Sequence, residues 1–309
     1  MMVENVIQTE ALTMYYGRHR GIVDVDLAIR PGEVFGFLGP NGAGKTTTLR
    51  ILLDIIRPTS GRATIFGRDC QKEGPALRQR VGYLPGELSM PDGMTGRRYL
   101  DTLSAIRGTA DAAYGQELCE RLQMDTSRKI REYSRGNKQK LGLIGAMMAR
   151  PELLILDEPT GGLDPLVQQT VLELVRETRD EGRTVFFCSH ILPEVQAVCD
   201  RVGIIREGRL VAVERVDTLV AQQFRRLRLT LERDPAGDAF AFEGVTELQR
   251  ADHSVTLEIR QNLHAVMAKA VEFGVVDIES QPVTLEEIFL AYYGAGNHRA
   301  NAVNGGHHA

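Results

Sequence analysis

Gly39-Pro40-Asn41-Gly42-Ala43-Gly44-Lys45-Thr46 matches G-x-x-x-x-G-K-[ST] without a gap, and nothing else in the chain restricts its fold as strongly. Such a loop works only between a strand that delivers it and a helix that leaves it. Val34-Phe35-Gly36-Phe37-Leu38 is an apolar run that ends at a glycine, which predicts a buried strand. Residues 46–56 then carry Leu49, Ile51, Leu52 and Ile56 at helix-compatible spacing, before Pro58 and Gly61. The glycines let successive backbone N–H groups turn inward onto phosphate oxygens, and the helix N-terminus favours an anion. Lys45 supplies a point charge to the β- and γ-phosphates, and the Thr46 hydroxyl is placed to ligate Mg²⁺. Thr47, the next helical residue, completes the candidate nucleotide-binding set.

A second apolar run, Leu153-Leu154-Ile155-Leu156, ends in Asp157-Glu158. With a phosphate loop upstream, a carboxylate at that strand end reaches the metal shell. Its neighbour Glu158 can accept a proton from, or orient, an attacking water. A third buried strand is expected at 184–187. Strands separated by helices predict an α/β unit with a largely parallel sheet over residues 1–222, interrupted by a mostly helical insertion at about 92–150. The remainder differs in kind. Residues 225–231 alternate around Leu227, Leu229 and Leu231, and Val255, Leu257 and Ile259 alternate again. A helix over 261–273, a short strand over 275–278, and a capping box at Thr284 and Glu287 opening a last helix make residues 223–295 a small α+β domain. The Gly/Asn/Ala/His-rich segment 296–309 is expected to be disordered.

Composition excludes several classes. Lys+Arg number 37 against 41 Asp+Glu, for a formal net charge of −4, which argues against a nucleic-acid partner. The apolar stretch 141–148 lies between Lys140 and Arg150 and is too short to cross a bilayer. Glu4 and the lack of an apolar segment near the start predict no signal peptide. Cys70, Cys119, Cys188 and Cys199 show no CxxC spacing, so they suit a reducing compartment with no disulfide framework or zinc site.

A GTPase would read guanine with Asn-Lys-x-Asp, but Asn137-Lys138 is followed by Gln139-Lys140. Further motifs resemble those of the nucleotide-binding subunit of ABC transporters, over about residues 5–220. Tyr16 before Gly17 resembles the family's adenine-stacking aromatic residue. Tyr133-Ser134-Arg135-Gly136-Asn137, followed by Lys138-Gln139-Lys140-Leu141, resembles its signature sequence. Gly162-Leu163-Asp164-Pro165, just after Glu158-Pro159-Thr160, resembles its D-loop, and Ser189-His190 after an apolar strand resembles its switch histidine. The resemblance implies a P-loop NTPase fold of the ABC type with an inserted helical subdomain. It implies that Ser134 and Gly136 contact the γ-phosphate held by a partner subunit, that Asp164 bridges the two subunits, and that His190 steadies the transition state. Two ATP molecules with Mg²⁺ would be sandwiched between two subunits, a homodimer, at the cytoplasmic face of the cell membrane, where they drive a separately encoded permease.

Two departures mark this chain. Arg135 and Asn137 replace the signature's common glycine and glutamine, a variant that resembles the exporter-type subset. In Val81-Gly82-Tyr83-Leu84-Pro85-Gly86-Glu87, Gly86 stands where the family's Mg²⁺-reaching glutamine is usual, leaving that role to water or to Glu87, or leaving the metal shell less tightly tied to the permease. The segment around Pro282-Val283-Thr284-Leu285-Glu286-Glu287-Ile288-Phe289 resembles the C-terminal extension of ATPase subunits that pair with separate exporter permeases, and reads as a stability or dimer-contact module. The alternative function is a soluble ABC ATPase acting on ribosomes or DNA. Such chains usually carry two nucleotide-binding domains or a long coiled coil, whereas this one has a single phosphate loop and no sustained heptads. A non-catalytic regulatory subunit is disfavoured by the intact Lys45, Asp157 and Glu158.

Overall fold

Apolar runs buried on both faces dictate a central sheet covered by helices, and the computed structural model, which describes residues 5–108, 111–221 and 225–281, has one. Its six strands lie in the order β11 (Arg209–Arg215), β10 (Arg201–Arg206), β4 (Val34–Leu38), β9 (Thr184–Ser189), β8 (Leu153–Asp157) and β7 (Val81–Leu84). All neighbours pair in parallel except β11, which returns antiparallel to β10. Every residue of β4, β8 and β9 is buried. Phe35 and Phe37 pack on Phe186 with ring centroids 6.0 and 5.4 Å apart. Phe186→Ala is expected to cost about 3–5 kcal/mol in urea unfolding, the loss of a fully buried aromatic side chain plus its cavity. A loss under about 1 kcal/mol would mean that this cluster does not hold the sheet.

Beside this sheet lies an antiparallel one, in the order β2 (His19–Val25), β1 (Ile7–Tyr16), β5 (Ser60–Ile65) and β6 (Arg68–Asp69), with β3 (Ala28–Ile29) also paired to β1. Helix α1 (Lys45–Leu52) follows β4. It stops short of the expected Ile56 because Asp54 takes a left-handed φ of 54°. Helix α2 (Gly74–Arg80) leads into β7. Between β7 and β8 come α3 (Gly96–Arg107), α4 (Ala112–Arg121) and α5 (Arg135–Met147), the inserted helices. Helices α6 (Pro165–Asp180) and α7 (Leu192–Val198) flank β9 in sequence, and α8 (Val216–Ala221) follows β11.

The chain divides into two compact units between Asp217 and Thr218, a few residues before the expected boundary. The second unit holds the antiparallel sheet β13 (Val245–Ala251), β14 (Ser254–Ile259), β12 (Arg225–Leu231) and β15 (Val275–Gln281), with helix α9 (Leu263–Glu272). Leu227 pairs with Leu257 and Leu229 with Val255, so one sheet face is apolar, and Val266 and Ala270 of α9 belong to the same core. The expected helix opened by Thr284 and Glu287, and the segment 296–309, lie outside the described residues.

Candidate nucleotide-binding site

The register of the parallel sheet brings together three segments far apart in sequence. Leu38 lies opposite Ser189, and Asp157 opposite Cys188, so the phosphate loop, His190 and Asp157-Glu158 leave adjacent strand ends on one edge. Carboxyl ends of parallel strands are where open α/β sheets bind ligands. The cavity there has a volume of about 590 Å³. Of the predicted residues, Tyr16, Pro40, Asn41, Gly42, Gly44, Lys45, Thr46, Thr47, Asp157, Glu158 and His190 line it.

Gly44 is required by conformation and by space. Its φ is +111°, and a Cβ there would fall 2.6 Å from Ile22 Cγ2. Lys45 is buried, and its Nζ donates to the carbonyl oxygens of Gly39 at 2.6 Å and Pro40 at 3.3 Å, while Glu158 Oε1 lies 3.2 Å away. Gly39 thus serves the site through its carbonyl, and neither Gly39 nor Ala43 lines the cavity.

Thr46 Oγ1 donates to Asp157 Oδ2 at 2.8 Å. Burial pushes the Asp157 carboxyl above the ordinary carboxylate range; the Thr46 hydrogen bond opposes this and the neighbouring Glu158 charge adds to it. Its other oxygen, Oδ1, is buried with no hydrogen-bond partner among the described residues. A hydroxyl beside a carboxylate with an orphaned oxygen is a donor pair that suits a hard divalent cation. Among the described residues no cluster of three or more His, Cys, Asp or Glu side chains suited to a metal occurs.

Glu158 is held from three sides. Its Oε2 lies 2.7 Å from His190 Nδ1, its N–H donates to Cys188 O at 3.0 Å, and its carbonyl accepts from Gln139 Nε2 at 3.0 Å. Its φ is +52°, a conformation that costs a non-glycine residue about 1–3 kcal/mol and persists only where the surroundings impose it. Glu194, also buried, accepts from Thr160 Oγ1 at 2.5 Å and Ser189 Oγ at 2.7 Å, which joins the turn after Glu158 to the segment that carries His190.

Tyr16, rather than Tyr15, lines the cavity, with its hydroxyl 3.4 Å from Thr47 Oγ1. Ser134, Gly136 and Asp164 do not line it. Ser134 caps α5, accepting from Asn137 N–H at 3.2 Å, and Asp164 caps α6, accepting from Val167 N–H at 3.1 Å. Gly86 approaches Asp157 so closely that a Cβ would sit 3.2 Å from Oδ2, and Glu87 lies on the cavity wall.

Motif reading missed Arg20, Arg50, Tyr83 and Arg135 as cavity residues. Tyr83 and Arg135 stand inside motifs already singled out and Arg50 stands four residues after Thr46 on one helix face, whereas Arg20 carried no signal. Burial pushes the Tyr83 phenol up to about 12, so it meets a ligand as a neutral hydrogen-bonding group.

A family model described as ABC transporter matches residues 22–161. The chain is 38% identical over 211 residues to the bacitracin transport ATP-binding protein BcrA of Bacillus licheniformis, covering 67% of this chain and 69% of that protein. It is 33% identical over 303 residues to the daunorubicin resistance ATP-binding protein DrrA3 of Streptomyces coeruleorubidus, covering 94% and 96%. Among solved structures, that of an ATP-binding subunit of an ABC transporter matches with a TM-score of 0.64 at 27% identity, over 70% of this chain and 92% of that one.

Proposed function

Because the chain belongs to the family of ABC transporter ATP-binding proteins, we propose that two copies of it close around two ATP molecules and that their closing and reopening drive a separate membrane-embedded permease in the export direction. The observation that carries this reading is the convergence of Lys45, Thr46, Asp157, Glu158 and His190 on one cavity at the strand ends. The names of the relatives BcrA and DrrA3, a transport protein and a resistance protein, support export. Among the described residues no helix is long and apolar enough to cross a membrane, which fits a subunit working on a permease from the cytoplasmic face.

In this reading the phosphate loop and Lys45 hold the β- and γ-phosphates, and a phosphate oxygen takes the place of Glu158 on Lys45 Nζ. Thr46 and Asp157 are the residues that would hold Mg²⁺, which would supply positive charge to the phosphates. Gly86, close against Asp157, would offer the ion no side chain, while Glu87 also lines the cavity. Glu158, kept aimed by its imposed backbone conformation and by His190, orients the attacking water and accepts its proton. His190 then donates to the terminal phosphate. Ser134 and Gly136 present their exposed helix start to the nucleotide of the partner subunit, and Asp164 bridges the pair. The second compact unit contributes a stabilising or dimer-contact surface.

Capture of the tagged chain from mildly solubilised native membranes tests the assignment. A multi-span membrane protein is expected at near-equal amount. Ribosomal or DNA-associated partners without any membrane protein would overturn the permease reading in favour of a soluble ABC ATPase.

A further inference from the structure

Glu158 leaves the sheet in a conformation that its sequence disfavours twice. Its φ of +52° lies in the left-handed region, and Pro159 after it biases the preceding residue toward extended backbone. The surroundings must therefore hold it there. Cys188 O fixes its N–H on the sheet at 3.0 Å, and Lys45 and the exposed His190 meet its carboxylate. That leaves the carbonyl end. Gly161 N–H reaches this carbonyl at 3.2 Å, but from within the turn itself, so it moves with the turn.

Gln139 holds the carbonyl from outside the turn. Its side chain is buried, and its Nε2 donates to Glu158 O at 3.0 Å and to Pro159 O at 3.2 Å. Both neighbours are carbonyl oxygens, so the nitrogen of the amide is the atom that faces them. One side chain thus fixes the peptide planes on both sides of Pro159, whose own nitrogen has no hydrogen to give. The anchor is firm. Helix α5 buries Gln139 and every residue from Leu141 to Met147. A Cβ on Gly142 would fall 2.8 Å from Leu84 Cδ1, so the helix lies close against the end of β7. Gln139 does not line the nucleotide cavity.

We propose that Gln139 is a positioning residue for hydrolysis. Through two carbonyls of the turn it keeps Glu158 in its left-handed conformation, and so sets where the carboxylate meets the attacking water. This rests on the reading of Glu158 as the base. The base is then aimed from a helix of the insertion as well as from the strand that carries it.

The test is ATP hydrolysis by the full chain. Gln139→Met keeps the length of the side chain without a donor, and Gln139→Glu keeps its shape but turns an acceptor toward the carbonyls. In both, kcat is expected to fall about ten- to a hundredfold with KM for ATP unchanged within about twofold, because a displaced carboxylate slows the chemistry while the cavity wall is untouched. Placed in a Glu158→Gln background, Gln139→Met should lower the single-turnover rate by no more than about a further twofold, since the group it aims is already gone. A kcat within about twofold of the unsubstituted chain would overturn the proposal. So would the same loss repeated in the Glu158→Gln background, or a loss carried wholly by KM. If neither variant melted as a folded protein, Gln139→Asn, one methylene shorter, would have to show the same split; unfolding of all three would make Gln139 a structural residue and end the proposal. Hydrolysis at the unsubstituted rate in Glu158→Gln alone would instead remove the base reading on which the proposal rests.

Discussion

Lys45→Ala is expected to abolish useful nucleotide binding, raising the ATP dissociation constant by at least about thirtyfold. Removing one member of a buried, hydrogen-bonded charge pair costs about 2–5 kcal/mol, and each 1.4 kcal/mol is tenfold. Lys45 is buried, satisfies two loop carbonyls and sits 3.2 Å from Glu158 Oε1. Its loss therefore removes the cation that phosphate would meet and leaves the Glu158 carboxylate without its nearest positive charge. Lys45→Arg separates charge from shape, since the longer planar group cannot occupy the same contacts to Gly39 and Pro40. Equilibrium dialysis with labelled ATP checks both variants, with thermal melting to show that each remains folded. Affinity unchanged in Lys45→Ala would sink the phosphate-loop assignment.

Glu158→Gln should do the opposite to binding while stopping turnover. The amide keeps the size and much of the hydrogen bonding of the carboxylate beside His190 but cannot accept the water's proton. Loss of a general base lowers the rate by about 10²–10⁴-fold. Because ATP still binds and is not consumed, the closed two-subunit state should accumulate and elute as a dimer only when ATP is present. Hydrolysis within about twofold of the unsubstituted rate would remove Glu158 from the role of base. Slow hydrolysis without any ATP-dependent dimer would keep the base but overturn the two-subunit sandwich.

What was legible in the chain follows physical lines. The strands Val34–Leu38 and Leu153–Asp157 were readable because burial on both faces makes an unbroken apolar run. Val81–Leu84 is too short, and too interrupted by Gly82, to show itself as a strand. The antiparallel sheet around Ile7–Tyr16 was not anticipated, because shifts in register at Glu10/Thr13 and Leu12/Met14 break the period of two on which alternation depends. In the second unit Arg225–Leu231 alternates cleanly, whereas Val245–Ala251 is an edge strand with almost every residue exposed, so no pattern betrays it. In the site, the loop and the paired carboxylates carry local signatures. Gln139 and Glu194 do not, because they meet Glu158 and Thr160 only across 19 and 34 residues of chain.

Glu194 has a consequence for how the site works as a mechanism. One buried carboxylate accepts from Ser189 on the His190 side and from Thr160 on the side of the turn leading to Asp164. Two loops that a hinge would let move separately are thereby geared to a single shaft. A displacement of either loop has to strain or break a hydrogen bond to the same buried carboxylate, so the turn and the segment before the histidine resist moving apart.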